Sequence, residues 1–178
     1  MALVLFDLNG TLLDPGDRLP VLDRAVQLAM AHSLAGDFRP FGSLLQAAGG
    51  PPDEMPPFPD VAPALERLSA EGHRLGVVTN SERATGEEHL RRARLADGFE
   101  RVVGTDEIGA YKPDRRVYRY AVEQLGGADD AWLVAAHDWD LVGAHSAGLH
   151  TVFVDRGLPA PATIEPDRSV ATLAELAI

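Results

Sequence analysis

The sequence predicts a doubly wound α/β domain built on a parallel sheet. Short apolar runs alternate with helical patterns along most of the chain, and a polar residue closes each run. The 178 residues, of which 46% are hydrophobic, are enough for one domain with its own core. In sheets of this kind, ligands bind at the carboxyl ends of the strands, so the closing residues are the first candidates for a site.

The predicted strands are four or five residues long and rich in Val and Leu, which is typical of strands buried on both faces. They are 3–6, 75–78, 101–104, 132–136 and 151–154. The predicted helices lie between them and span 61–71, 81–95, 114–125 and 140–147. Ser81 is expected to cap the second helix, and Gly72 and Gly126 stand where the first and third should end.

One long stretch interrupts the alternation. Two helical patterns, 19–35 and 41–48, are followed by a segment rich in Gly and Pro at 49–60. We therefore expect a core of residues 1–12 and 58–178, and a small helical insertion with a Pro-rich return linker at residues 13–57, called the cap segment below. It follows the first strand directly, so it should lie over the carboxyl edge of the sheet.

Composition narrows the classes of partner. The formal net charge of −11 disfavours nucleic acid and anionic membranes, and an anionic substrate would need locally placed Lys or Arg. The chain contains no cysteine, which excludes disulfides and thiolate catalysis. No apolar run approaches the roughly 20 residues that span a bilayer, and residues 1–6 lack the basic start of a signal peptide, so we expect a cytoplasmic protein.

Four polar segments should converge at the carboxyl edge. Asp7 follows the first strand and is a candidate nucleophile, because a carboxylate can form an ester that water later hydrolyses. Thr79 and Asn80 can bind a substrate oxygen, and a Lys112 beside Asp7 would hold that carboxylate ionised. Asp140 could orient water or help to hold a cation. Each segment alone is also an ordinary loop or helix cap.

The loop before Asp140 adds His137, which could bind substrate. A single loop histidine more often has no such role, and Asp138 beside it could simply cap the helix that follows.

Taken in order, these segments resemble the haloacid dehalogenase superfamily. The pattern is Asp7-x-x-x-Thr11, then Thr79-Asn80, then Lys112-Pro113, then an acidic loop ending at Asp140. The resemblance implies a Rossmann-like three-layer α/β/α core, an aspartate nucleophile and a cap inserted after the first motif.

Two departures separate the chain from the phosphatases of that superfamily. Asn9 stands where they carry an Asp that acts as general acid and base, and Ala136 stands where they usually carry an Asp that helps to hold Mg²⁺. Both departures resemble the 2-haloacid dehalogenases, which need no metal or other cofactor. The spacing from Lys112 to Tyr118 is also similar to theirs.

The dehalogenase resemblance implies a role for each candidate. Asp7 displaces halide from carbon 2 of a small anionic acid, and Asp140 with Lys112 activates the water that cleaves the ester. The supporting groups bind the substrate carboxylate, orient or support the nucleophile, or receive the halide; they are Thr11, Thr79, Asn80, Asn9, Tyr118, His137 and, on the cap segment, Arg24.

Two alternatives remain open. A Mg²⁺-dependent phosphatase would use Asp7, the Asn9 carbonyl and Asp140 as metal ligands, although Asn9 opposes it. A non-catalytic relic is favoured by the short cap and by Ala135 and His137, which replace a serine and an asparagine of the dehalogenases. A cap this thin could also be completed by a second subunit in a homodimer.

Overall fold

The computed structural model of the chain describes residues 1–52 and 54–178, and its centre is a parallel sheet of six strands. The strands are β1 (Leu3–Phe6), β2 (Arg74–Thr79), β3 (Arg101–Gly104), β4 (Ala131–Ala135), β5 (His150–Val154) and β6 (Arg168–Val170). Their order across the sheet is β3–β2–β1–β4–β5–β6, and every neighbouring pair is parallel. The predicted doubly wound sheet is therefore confirmed.

Helices cover both faces of the sheet. In chain order they are α1 (Leu19–Leu34), α2 (Phe41–Ala48), α3 (Val61–Ala70), α4 (Arg83–Arg92), α5 (Arg115–Gln124) and α6 (Asp138–Ala147). Successive residues of β1 point to opposite faces: Val4 and Phe6 join a core cluster with α3 and α4, whereas Leu3 and Leu5 join one with α5 and α6. The result is the three-layer α/β/α arrangement that the sequence predicts.

Apart from shifts of one to three residues at the ends of other elements, three differences between the sequence-based assignment and the structure stand out. β6 was not predicted, because it is three residues long and mostly exposed, so it carries no apolar run. α6 begins at Asp138, two residues earlier than expected. The expectation that Ser81 caps α4 is wrong: the helix begins at Arg83, whose N–H donates to the Asp106 carboxylate at 2.8 Å.

The cap segment leaves and rejoins the core at one place. Leu13 and Pro57 form an antiparallel bridge, and the Asp14 N–H donates to the Pro56 carbonyl at 2.8 Å. On the other side of the bridge, the Phe58 N–H donates to the Leu12 carbonyl at 3.0 Å. The two chain segments joined by this bridge hold α1 and α2 above the carboxyl end of β1.

α1 and α2 pack against each other around a small cluster of their own. It contains Leu22, Ala25, Ala29, Phe41, Leu44 and Leu45, together with Tyr111 from the core. The Tyr111 ring stacks on Phe38 with 4.8 Å between ring centroids, and its hydroxyl donates to the Arg39 carbonyl. Tyr111 directly precedes Lys112, so the cap segment is anchored beside a predicted site residue.

The sheet reverses its direction of winding between β1 and β4. The connection from β1 leads to β2 on one side, whereas β4 lies on the other side of β1 and continues to β5 and β6. In open α/β sheets, a crevice forms at this point outside the carboxyl ends of the strands. Asp7 follows β1, and residues 136–137 with the first turn of α6 follow β4, so both belong to this crevice.

Within residues 1–52 and 54–178, no helix is both long and apolar enough to cross a membrane.

Candidate active site

Asp7 lies at the end of β1 and is 5% exposed. Lys112 Nζ donates to its Oδ1 at 2.7 Å, and Thr11 Oγ1 donates to its Oδ2 at 2.8 Å. Thr11 Oγ1 also accepts the Ala136 N–H at 3.0 Å, which ties the β1 loop to the β4 loop. Burial alone would raise the pKa of Asp7, but the Lys112 ammonium and His137 together lower it well below its ordinary value.

Lys112 is the centre of a buried charge cluster. Its ammonium donates to Asp7 Oδ1 at 2.7 Å, to Asp140 Oδ2 at 2.7 Å and to the Val78 carbonyl at 3.2 Å. These three acceptors satisfy all three N–H groups. Burial lowers the pKa of Lys112, but the two carboxylates outweigh burial and raise it, so the side chain stays a cation.

Asp140 lies behind Lys112 and is fully buried. Its second oxygen, Oδ1, accepts the Tyr118 hydroxyl at 2.5 Å. Burial raises the pKa of Tyr118 well above 10, so it is a neutral donor. Burial also raises the pKa of Asp140, and the nearby Asp7 charge adds to this, because one ammonium is shared by two carboxylates.

His137 follows β4 and faces Asp7. Its Nδ1 lies 3.4 Å from Asp7 Oδ2, and the Trp139 ring lies 5.1 Å from its own ring. Gly10 makes this contact possible, because a Cβ there would lie 2.8 Å from His137 Cε1 and the residue has φ +83°. Burial lowers the pKa of His137, but Asp7 outweighs burial and raises it.

A narrow cleft of about 30 Å³ opens above Asp7. Of the predicted site residues, it is lined by Asp7, Asn9, Thr79, Asn80 and His137. Two amide atoms at the cleft are buried without a hydrogen-bond partner: Asn80 Nδ2, a donor, and Asn9 Oδ1, an acceptor. Asn80 is held by its other atom, since its Oδ1 accepts the Lys112 N–H at 3.0 Å. Unpartnered buried groups of this kind are available to a ligand.

The structure places the remaining candidates elsewhere. Thr11, Lys112, Tyr118 and Asp140 are buried behind Asp7 and do not line the cleft. Arg24 does not reach the site: it is exposed on α1, where its guanidinium bonds to Gln27 at 3.4 Å. The residue before it, Asp23, faces the cleft instead.

The sequence analysis missed the other six residues that line the cleft, which are Leu19, Leu22, Asp23, Val26, Phe41 and Trp139. On α1, the cleft is lined by Leu19, Leu22, Asp23 and Val26, the i, i+3, i+4, i+7 spacing of one helix face. Applied to this helix, that spacing would have selected position 23 and rejected position 24. Half-burial raises the pKa of Asp23, and His137 offsets part of this effect.

The residues present do not fit a magnesium site. The predicted ligands were Asp7, the Asn9 carbonyl and Asp140, but the Lys112 ammonium lies between the two carboxylates, within 2.7 Å of each. Within the described residues, no three His, Cys, Asp or Glu side chains are grouped so that they could hold a metal ion. Mg²⁺ prefers several oxygen ligands in near-octahedral geometry, which this arrangement does not offer.

Comparison with known proteins identifies the family. The model of the haloacid dehalogenase-like hydrolases matches residues 46–154, more than half of the chain. This chain belongs to the haloacid dehalogenase-like hydrolases.

Relatives of this hydrolase include both dehalogenases and phosphatases. An (S)-2-haloacid dehalogenase of Pseudomonas sp. (strain YL) is 33% identical over 103 residues, which cover 57% of this chain and 44% of the relative. A phosphoserine phosphatase of Thermus thermophilus is 33% identical over 161 residues, which cover 80% of this chain and 65% of the relative. The chain spans about half the length of the first curated relatives it matches.

Solved structures show the same fold. The L-2-haloacid dehalogenase of Xanthobacter autotrophicus, with chloropropionic acid covalently bound, superposes with a TM-score of 0.85 at 22% identity. The match covers 98% of this hydrolase and 96% of that chain. At this level of identity, the likeness establishes the architecture of the hydrolase and leaves its substrate to be argued from the site.

Proposed function

We propose that this hydrolase cleaves the carbon–halogen bond of small 2-halo acids through an ester on Asp7, without a metal ion. The observation that carries the proposal is the position of Lys112, whose Nζ lies 2.7 Å from both Asp7 and Asp140. A fixed ammonium there keeps the nucleophile ionised and oriented, a role for which no metal ion is needed. In this proposal, the cap segment excludes water from the cleft.

In the first step, an Asp7 carboxylate oxygen attacks carbon 2. The new C–O bond forms as the C–halogen bond breaks, and the halide leaves with the bonding electron pair. The substrate carboxylate is held by the free Asn80 Nδ2 and by Thr79, which both line the cleft. Thr11 and Lys112 fix the Asp7 side chain from behind, so little reorientation is needed before attack.

In the second step, water attacks the carbonyl carbon of the Asp7 ester. The sequence analysis assigned water activation to Asp140, but both of its oxygens are already bonded, to Tyr118 and Lys112, and it does not line the cleft. We instead assign water activation to His137, whose Nδ1 lies 3.4 Å from Asp7 Oδ2 and accepts a proton from the attacking water. The ester C–O bond to the alkyl oxygen breaks, and the proton passes on to that oxygen, which gives a 2-hydroxy acid. The second proton of the water is released to solvent, which restores Asp7 as a carboxylate.

The charge of Asp7 controls His137 in this scheme. While Asp7 is ionised, it raises the pKa of His137 despite the opposing effect of burial. Esterification removes that charge, whereas burial and the Lys112 ammonium remain, and both lower the pKa of His137. The imidazole therefore becomes a free base at the stage when a base is needed.

A Mg²⁺-dependent phosphatase is the second candidate, and the Thermus thermophilus relative is the observation that favours it. Two features of the site oppose it: the Asn9 substitution, and the lack, within the described residues, of a group of side chains that could hold a metal ion. A non-catalytic role is opposed by the buried Asp7–Lys112–Asp140 cluster, because burying such charges costs free energy that an apolar core would not incur.

A paired assay separates these functions. Purified protein is given 2-chloropropionate, with halide release measured, and p-nitrophenyl phosphate, with phosphate release measured, each in Mg²⁺ and in EDTA. We expect halide release that EDTA does not change, and loss of turnover in Asp7→Asn with an unchanged circular dichroism spectrum. The matched control is Asp17→Asn, because Asp17 is an exposed aspartate close to the start of α1. Phosphate release that requires Mg²⁺ would replace the proposal with the phosphatase.

A further inference from the structure

The space above Asp7 is small, with a volume of about 30 Å³. In the proposed function it holds carbon 2 with its halogen and its carboxylate, so an alkyl chain on carbon 2 must extend into an adjoining space. The position of that space decides which acids the hydrolase can accept.

A corridor of about 200 Å³ continues from the cleft between α2 and α4. It shares Asn9, Leu22 and Phe41 with the cleft, so the two spaces adjoin. Its walls are mainly apolar and are formed by Phe41, Leu45, Met55, Pro51 and Pro52. The Pro-rich linker of the cap segment thus forms one side of the corridor.

The charged groups of the corridor do not suit a second anionic group. Glu82 is engaged with the cap segment, where its Oε1 accepts the Gly42 N–H at 3.1 Å. Burial, with the nearby Arg92, lowers the pKa of His89, which favours its neutral form. With a carboxylate and a neutral imidazole as its ionisable groups, the corridor favours an uncharged occupant.

A second space of about 300 Å³ adjoins the cleft on the side of α1 and the β4 loop. Its wall combines the carboxylates of Asp23 and Asp138 with apolar side chains, Trp139 and Leu158 among them. The corridor carries one carboxylate, Glu82, which is already bonded to the cap segment. Of the two spaces, the corridor therefore suits an alkyl chain better.

We infer that the corridor between α2 and α4 binds the alkyl chain of the substrate, so that this hydrolase prefers 2-halo acids with an unbranched chain of several methylenes over 2-halopropionates. The inference rests on the proposed function, because it places carbon 2 of the acid at Asp7. It assigns chain-length specificity to the residues on the two walls, with Leu45 and Met55 contacting the chain.

The first test measures chain-length dependence in binding and in turnover. Calorimetry gives the dissociation constants of lactate, 2-hydroxybutyrate and 2-hydroxyhexanoate, and halide release gives kcat/KM for the matching 2-bromo acids. We expect affinity and kcat/KM to rise about fourfold for each added methylene, the factor that corresponds to roughly 0.8 kcal/mol per buried CH₂. Equal values across the series would overturn the inference.

The second test narrows the corridor from each wall. Thr85 on α4 and Gln46 on α2 both line it and are exposed, so Thr85→Trp and Gln46→Trp can be made without disturbing the core. We expect each variant to bring the ratio of kcat/KM for 2-bromohexanoate to kcat/KM for 2-bromopropionate close to one. Their neighbours Ala84 and Ala47 are equally exposed but do not line the corridor, so Ala84→Trp and Ala47→Trp should keep the wild-type ratio.

The outcomes separate the inference from the proposed function. Chain-dependent binding of the hydroxy acids that Thr85→Trp abolishes, with no halide release from any bromo acid, would support the corridor and overturn the dehalogenase. Halide release from 2-bromopropionate with no gain on longer chains would support the dehalogenase and overturn the corridor. An unchanged ratio in both Trp variants would also overturn the corridor.

Discussion

Lys112 Nζ bridges Asp7 Oδ1 and Asp140 Oδ2 at 2.7 Å each, and the Val78 carbonyl takes its third proton at 3.2 Å. The three side chains form one unit, in which neither carboxylate has another cation as close as Lys112. Tyr118 and Thr11 complete the unit by donating to Asp140 and Asp7.

Removing this ammonium leaves two buried carboxylates uncompensated. We expect Lys112→Met to abolish turnover and to lower the free energy of unfolding by about 3–5 kcal/mol, as for other broken buried ion pairs. Urea unfolding monitored by circular dichroism measures the change. Arg116→Ala is the control, because it breaks an exposed ion pair with Asp114 and should leave both properties unchanged. A Lys112→Met protein as stable as wild type would contradict the claim that the Lys112 ammonium compensates the charges of Asp7 and Asp140.

Replacing His137 should affect the two chemical steps unequally. In the proposed mechanism, Asp7 attacks carbon 2 without a base, whereas water needs one to cleave the ester. We therefore expect His137→Asn, which keeps a polar side chain at the cleft, to form the ester and accumulate it. Mass spectrometry of the quenched protein during turnover measures the added mass on the peptide that contains Asp7. Equal slowing of both steps, with no accumulated ester, would assign His137 to positioning alone.

His137 should also make stability depend on pH. Its pKa is raised above the ordinary value of 6.5 in the folded protein, so the folded state holds the proton more tightly than the unfolded state. This contribution is fully present below pH 6.5 and is lost as the pH rises through the folded-state pKa. We expect the stability difference between wild type and His137→Asn to shrink over that range in urea unfolding. A difference that grows with pH would contradict the Asp7–His137 pairing.

Gly143 lets α6 approach α5 closely enough for Tyr118 to reach Asp140. A Cβ at Gly143 would lie 2.6 Å from the Pro113 carbonyl oxygen and from the Tyr118 ring. We expect Gly143→Ala to cost about 1–3 kcal/mol of stability, the usual range for overpacking, and to lower turnover through Tyr118. Thermal and urea unfolding together with halide release check both effects.

Gly42 supplies the matched control, because it is also a helical glycine but a Cβ there would meet nothing closer than 3.7 Å. Gly42→Ala should gain about 0.5–1 kcal/mol from helix propensity. If both alanine variants changed stability alike, close packing at Gly143 would not be the cause.

The strand-end residues could be predicted from the sequence because topology alone brings them together. Asp7 follows β1, Thr79 ends β2 and Asp140 comes shortly after β4, and a parallel sheet places such positions at one edge. The same argument could not say which side chains face the cleft. Asp140 and Lys112 turned out to lie behind Asp7, where the Tyr118 hydroxyl bonds to Asp140 and the Val78 carbonyl accepts from Lys112.

The error at Arg24 arose from helix register. Neighbouring helical residues point about 100° apart, so a shift of one position replaced a predicted cation by the carboxylate of Asp23. The contact between His137 and Asp7 was also beyond sequence reasoning, because it depends on the space left by Gly10. The homodimer and the cytoplasmic location remain predictions.

The most direct test of the ester on Asp7 is a single turnover in H₂¹⁸O with enzyme in excess over 2-chloropropionate. If water attacks the carbonyl carbon of an Asp7 ester, the ¹⁸O enters the Asp7 carboxylate, and the lactate formed carries the unlabelled oxygen that Asp7 donated. Mass spectrometry of the Asp7 peptide and of the lactate reads both positions. Label in the lactate, with none in the peptide, would show that water attacks carbon 2 directly and would contradict the account.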